Sequence, residues 1–216
     1  YEIRATWAVV GHLFLEECSS PPHQNLTKPE YEWVDGDWYQ FDPCSSFKSD
    51  PFFYAPDIIQ KVLESNIHHE IGSHSFAHIN FSDPGCSYQA AFDDLRECQK
   101  VYKKILPGSL VSFVYPQDKV GNLQALSDSG FKIYRGAGMY ENLRNSPKYK
   151  RLLFLIKLSL GVSNDPVSPI YDNNLINIPL SYHFRLESFD LSNPYSYVPL
   201  VSKYFSLKNG IKKAID

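Results

Sequence analysis

One stretch constrains this chain more than any other. His69-Glu70-Ile71-Gly72, which reads as a short buried strand, passes almost directly into His74-Ser75-Phe76-Ala77-His78. A helix is expected before it, over Ala55 to Asn66, where Ile58, Ile59, Val62 and Leu63 recur at helical spacing and Pro56 stands near the start. Helix, strand and loop in that order put both histidines at a strand end. In α/β architectures that position is rigid enough to hold reactive groups, while the loop beyond it is free to vary. Neutral imidazole is the commonest protein ligand for zinc and its first-row neighbours, and a four-residue interval lets two rings converge on one ion. Such a pair also recurs by chance, and ordinary hydrogen bonds can satisfy a buried histidine, so the surrounding sequence has to decide.

The alternation continues on both sides. Ile3 to Val10 reads as a strand, and His12 to Cys18 as a helical turn. Tyr88 to Ile105 reads as an amphipathic helix with Ala91, Leu95, Cys98, Val101, Tyr102 and Ile105 near one face, stopped by Pro107-Gly108. A strand over Leu110 to Tyr115 ends at Pro116. A short helix over Leu123 to Ser129 closes at Gly130 and leads into a strand over Phe131 to Tyr134. Beyond these, Pro147 to Leu160 reads as helix, Leu175 to Leu180 as strand, and Tyr197 to Ala214 as largely helical with Gly210 a candidate interruption. Strands alternating with helices imply an α/β fold with a parallel sheet and right-handed crossovers. At 216 residues the chain suits a single domain over 1–216.

"HEIGSHSFAH", with its Gly ahead of His-Ser-x-x-His, resembles the second motif of the NodB-type polysaccharide deacetylases. Ala5-Thr6-Trp7-Ala8-Val9-Val10-Gly11 is similar to the family's second strand. Ser112-Phe113-Val114-Tyr115-Pro116 and Gly130-Phe131-Lys132-Ile133-Tyr134-Arg135-Gly136 are similar to the third-motif strand and the one after it. The resemblance runs from about Ile3 to Gly136 and implies a distorted, incomplete (β/α) barrel. It also implies a metal-dependent hydrolase that removes N-acetyl or O-acetyl groups from a polysaccharide or glycoconjugate. The cofactor implied is a divalent metal held by His74 and His78; zinc suits the ligand types, and cobalt, nickel or manganese could also occupy them.

Three departures from the family pattern stand out. The Thr-Phe-Asp-Asp motif that supplies a catalytic base and a third metal ligand is expected upstream of Ala5, and the chain opens at Tyr1. The late His that serves as general acid is expected beyond Asp216; His183, in Ser181-Tyr182-His183-Phe184-Arg185, is the only late histidine and reads better as a pocket-lining residue. The simplest reading is a fragment of a longer protein, and a degenerate carbohydrate-binding relative without catalysis is the second. A hydrolase of non-sugar amides on the same fold is the third. Finally, the family places an Arg beside the third-motif Pro, whereas Gln117 follows Pro116 here. Gln117 can donate hydrogen bonds to a carboxylate, but the charge-assisted bond is roughly twice as strong. Arg135, after the next strand, is the candidate substitute, with a plain loop Arg as the competing reading. Pro116, Gln117 and Arg135 are thus expected near substrate.

Residues 19–54 form a long insertion with several prolines and little periodicity. Loops of that length are uncommon in compact domains unless they bind something, form lids or are disordered. Disorder is disfavoured by Trp33, Trp38, Tyr39, Phe41, Phe47, Phe52, Phe53 and Tyr54, since disordered segments are poor in such side chains. Aromatic faces such as Trp38, with carboxylates such as Asp42, suit one wall of a carbohydrate site. The competing reading is an insertion that packs a small core of its own. Net charge is -3, which offers no basic field for nucleic acid. The most apolar run, Leu152 to Leu160, is short and interrupted by Lys157, so no membrane span is expected. Cys18, Cys44, Cys86 and Cys98 show no C-x-x-C spacing and read as reduced thiols, with disulfides left open. His12 and His23 belong to no recognisable motif. Asn25-Leu26-Thr27 and Asn80-Phe81-Ser82 match the glycosylation sequon. Oligomeric state is not legible.

Overall fold

A computed structural model describes residues 3–136, 147–162, 167–172, 174–180 and 198–215. The chain forms two compact units, Tyr1–Arg135 with Tyr171–Asn177, and Gly136–Ile170 with Ile178–Asp216. The first is built on strands β1 (Thr6–Val9), β2 (Glu70–Ser73), β3 (Ser112–Val114) and β4 (Ile133–Arg135). With β5 (Ile170–Asp172) and β6 (Leu175–Asn177) they make an open sheet in the order β1-β2-β3-β4-β6-β5. β1 to β4 and the β4–β6 pair run parallel, with Val9 beside Ser73, Ser73 beside Phe113 and Val114 beside Arg135. The carboxyl ends of four neighbouring strands therefore lie side by side. The sheet is mainly parallel and does not close, as an incomplete barrel requires.

The helices follow their sequence signals closely. α1 (Pro56–Leu63) begins with Pro in its first turn, where a missing N–H costs nothing. α2 (Tyr88–Ile105) starts at Ser87, whose side chain accepts the Ala90 N–H at 3.1 Å, and ends with Lys103 and Lys104 against the negative end of the helix dipole. Its inward face buries Ala91, Leu95, Cys98 and Val101, together with two polar residues, Asp94 and Gln99. Gln99 clamps the entry to β3, donating to the Leu110 carbonyl and accepting the Leu110 N–H, both at 2.9 Å. α3 (Leu123–Asp128) buries Ala125 and Leu126. In the second unit, α4 (Lys148–Ser159) is followed by Val162 and Gly161, whose carbonyls accept from Ser206 Oγ and Asn209 Nδ2 of α5 (Leu200–Ile215) at 3.0 and 3.1 Å. Gly210 does not interrupt α5, because a single glycine costs only about 1 kcal/mol in a helix interior. Between Val9 and α1, only a 3-10 turn over Gly11–Phe14 is helical, so the helical turn expected as far as Cys18 stops early.

The core of the first unit joins Ile71 of β2 and Phe113 of β3 to Leu95 of α2, Phe76, Phe81, Leu126 and Phe131. Tyr31 and Tyr39 of the long insertion belong to this same cluster, with Trp38 packed against it. The insertion therefore does not build a separate core, since its aromatics complete that of the sheet. Phe41 and Phe52 remain exposed.

Gly72 shows how tightly the strands approach beneath the histidine loop. A Cβ there would stand 2.7 Å from Ser112 Oγ and 3.0 Å from Thr6 Cγ2. Ser112 Oγ is already committed to Glu70 Oε1 at 2.8 Å, and Thr6 Oγ1 to Glu70 Oε2 at 2.6 Å. Gly72→Ala is expected to destabilise the protein by about 1–3 kcal/mol, as overpacking does, measurable as a lower urea midpoint at unchanged m-value.

Candidate metal centre

β2 ends at Ser73, and the chain then needs donors and acceptors to hold an irregular loop against the sheet. The His74 N–H donates to the Val9 carbonyl at 2.9 Å, extending the β1–β2 ladder by one step. Ser75 and His78 both take left-handed backbone conformations, with φ of 69° and 55°. Such residues persist only when their surroundings over-determine them. Here the determinant is Asp94 of α2. Its carboxylate accepts the Ser75 hydroxyl on both oxygens at 2.9 and 3.0 Å, the Phe76 N–H at 2.9 Å and the Ala77 N–H at 3.0 Å. Ser75 Oγ in turn accepts the Ile79 N–H at 3.1 Å. Burial pushes the Asp94 carboxyl up to about 6, against the downward pull of those three donors.

More contacts hold the loop from the other side. The Gly11 and His12 N–H groups donate to the Ser75 and Phe76 carbonyls at 2.8 and 2.9 Å. From the insertion, Trp38 Nε1 donates to the Ala77 carbonyl at 3.0 Å, and the Tyr31 hydroxyl both accepts the Asn80 N–H at 2.7 Å and donates to the Asn80 carbonyl at 3.1 Å. Asn80 itself is buried, so its sequon is closed to glycosylation in the folded chain.

The result is a fixed pair of imidazoles. The His74 and His78 rings stand 4.9 Å apart between centroids at 72°. His74 Nδ1 lies 2.7 Å from the Val114 carbonyl, which can only accept. The proton is thereby placed on Nδ1, leaving Nε2 with its lone pair, as a metal-ligating histidine requires. Burial keeps the His74 imidazole below its ordinary value, with His78 and Arg135 acting in the same sense and the Val114 carbonyl and Asp118 opposing. Half-buried His74 and exposed His78 thus fit two ligands of one divalent ion.

Around this pair the strand ends supply charge. Pro116 starts a 3-10 turn over Pro116–Asp118 just past β3, with Gln117 and Asp118 both at positive φ. Arg135, at the end of β4, donates from Nη2 to Asp118 Oδ1 at 2.8 Å, and its buried Nε has no hydrogen-bond partner among the described residues. Arg135 sits beside Val114 in the β3–β4 register, and the Val114 carbonyl meets His74 Nδ1, so Arg135 ends the strand next to the one that the His74 ring contacts. Asp118 had no motif signal; only its position after the third-motif Pro could have marked it. The structure brings together His74, His78 and Arg135, with the Pro116–Asp118 turn beside them, and anchors Trp38 to the loop. Asp42 makes no hydrogen bond or ion pair to His74 or His78; it lies instead with His12, Cys18 and His23. His183 lies outside the described residues.

An open, mainly parallel α/β sheet with His74 and Arg135 at the carboxyl ends of neighbouring strands places the chain in the general α/β class of folds. Within it, the chain belongs to the polysaccharide deacetylase family, whose model, Polysaccharide deacetylase, matches residues 1–133. No curated protein and no solved structure matches the chain. Family membership makes carbohydrate deacetylation its general activity.

Proposed function

We propose that the chain is a metal-dependent hydrolase of N-acetyl or O-acetyl groups on a polysaccharide or glycoconjugate, with His74 and His78 as metal ligands. The observation that carries this reading is the 2.7 Å contact from His74 Nδ1 to the Val114 carbonyl, which presents Nε2 beside His78 at a strand end. A divalent ion bound there, most suitably zinc, supplies a Lewis acid for the acetyl carbonyl and for a water molecule. Asp94 holds the loop that carries both rings, and the insertion braces it through Trp38 and Tyr31. Arg135, with its unpartnered Nε, and Gln117, on the exposed turn after Pro116, are suited to bind sugar hydroxyls or an acyl oxygen. The exposed aromatic faces of the insertion suit stacking on sugar rings.

Acetate release from acetylated oligosaccharides, compared with hydrolysis of simple acetamides, tests the proposal. Turnover of the oligosaccharides is expected to stop on chelation and return with a divalent ion. Turnover that survives exhaustive chelation would contradict the metal role, and preferential turnover of the simple amides would contradict the sugar substrate.

A further inference from the structure

A second group of side chains converges, sharing no member with the His74–His78 pair. His12 comes from the 3-10 turn after β1, Cys18 from just beyond it, and His23 and Asp42 from the long insertion. We propose that these four residues form a closed, tetrahedral structural zinc site that fastens the insertion behind the loop carrying His74 and His78. It is independent of the deacetylase reading.

The geometry is that of a coordination shell. Asp42 Oδ2 lies 3.0 Å from His12 Nε2 and 3.2 Å from His23 Nε2, and Cys18 Sγ lies 3.4 Å from His23 Nε2 and 3.7 Å from Asp42 Oδ2. All four donor atoms fall within 4.8 Å of one another. Zinc bonds of about 2.0–2.3 Å in a tetrahedron require donor separations of roughly 3.3–3.6 Å, so one ion at the centre reaches all four atoms with small adjustments. The donor set matches the charge as well, because a thiolate and a carboxylate together offset a dication while two imidazoles stay neutral.

Hydrogen bonding alone leaves one nitrogen of this cluster, His12 Nε2, unsatisfied. His12 Nδ1 lies 3.2 Å from the Phe53 carbonyl, an acceptor, so that nitrogen carries the proton of the neutral ring. Its Nε2 then points a lone pair at the Asp42 carboxylate from 3.0 Å, and it is a buried nitrogen with no hydrogen-bond partner among the described residues. With the ring neutral, as a zinc ligand is, two lone pairs face each other in a poorly solvated pocket and repel, and a cation between them removes the conflict. The His12 and Asp42 side chains are only 13% and 6% exposed, so water offers little relief. The supporting bonds are those of a metal shell too: Asp42 Oδ1 accepts the Cys44 N–H at 2.9 Å, which fixes the carboxylate with Oδ2 turned inward. Four protein ligands leave no open position, which marks a structural rather than a catalytic ion.

The site's location gives it a purpose. Phe76, between the ligand histidines of the first centre, packs its ring edge-on against both His12 and His23, at centroid distances of 5.7 and 5.0 Å. An ion here would tie the chain leading out of β1, through His12 and Cys18, to the insertion, through His23 and Asp42, against the Phe76 ring of the loop. It would thereby hold Trp38 and Tyr31 where they bond that loop.

Cobalt loading of the whole protein tests the proposal, because only a site containing sulfur gives an intense thiolate-to-cobalt charge-transfer band in the near ultraviolet. The band is expected in the wild-type protein, unchanged in His74→Ala and lost in Cys18→Ser. Its absence from cobalt-loaded wild type, or its survival in Cys18→Ser, would overturn the site. Should Cys18→Ser fail to fold, the wild-type protein answers alone: zinc is expected to shield Cys18 from alkylation, and chelation to expose it. Equal alkylation with and without zinc, or a Cys18–Cys44 disulfide in the purified protein, would contradict it. A band that persists in a protein without acetate-releasing activity leaves this site standing and removes only the deacetylase reading.

Discussion

Asp94→Ala is expected to destabilise the protein by about 3–5 kcal/mol and to weaken metal binding at the His74–His78 pair even in the fraction that remains folded. The substitution leaves the Ser75 hydroxyl and the Phe76 and Ala77 N–H groups buried without an acceptor, and each such loss costs roughly 1–3 kcal/mol. It also removes the constraint that keeps Ser75 at positive φ. Asp94→Asn is the sharper test. It keeps the volume but turns an NH2 group toward one of the two backbone N–H donors, so part of the loss remains. The two proteins should also differ in pH dependence. Because the folded value of Asp94 is raised from 3.8 to about 6, its ionisation contribution to stability is fully present below pH 3.8 and is lost as pH rises through 6. Wild type should therefore gain stability over this range on acidification, relative to Asp94→Asn, when urea midpoints are compared at each pH. Parallel pH profiles would show that the carboxyl is not desolvated as the structure places it.

His74→Ala is expected to lower affinity for a divalent ion at the pair by at least ~100-fold, since losing a ligand exceeds the 10- to 100-fold cost of losing only a supporting bond. Stability should fall far less, because the ring is half-buried and its one structural bond goes to the Val114 carbonyl. Substitution of His78, which is exposed and has no hydrogen bond among the described residues, should affect stability still less while also removing the ion. This separation of metal binding from stability distinguishes ligands from core histidines. A structural His74 would give the opposite pattern, a large loss of stability with metal binding intact.

The helix and strand pattern was legible because its periodicity and punctuation are local. Tyr88 to Ile105 was read from its apolar spacing and from Pro107-Gly108 as a stop, and the helix runs over the same residues, Tyr88–Ile105. Several strands came out shorter than their apolar runs, since the ladder ends where partners do, as at Ile3 to Val10 against Thr6–Val9 and Leu110 to Tyr115 against Ser112–Val114. The histidine pair was legible through its spacing. Its support was not, because Asp94 lies 19 residues beyond Ser75 on a helix whose buried face, Gln99 apart, is otherwise apolar. The cluster of His12, Cys18, His23 and Asp42 was invisible for a similar reason. Two of its members precede the insertion and two lie within it, where periodicity is lacking, and only folding of the insertion onto the sheet unites them.

The most direct measurement is zinc stoichiometry and affinity in the whole protein, followed by calorimetric titration of chelated wild type and of His74→Ala. Wild type should bind one more ion than the variant, and the additional ion should be lost equally in His78→Ala. The same stoichiometry and affinity in all three proteins would contradict the assignment of His74 and His78 as metal ligands.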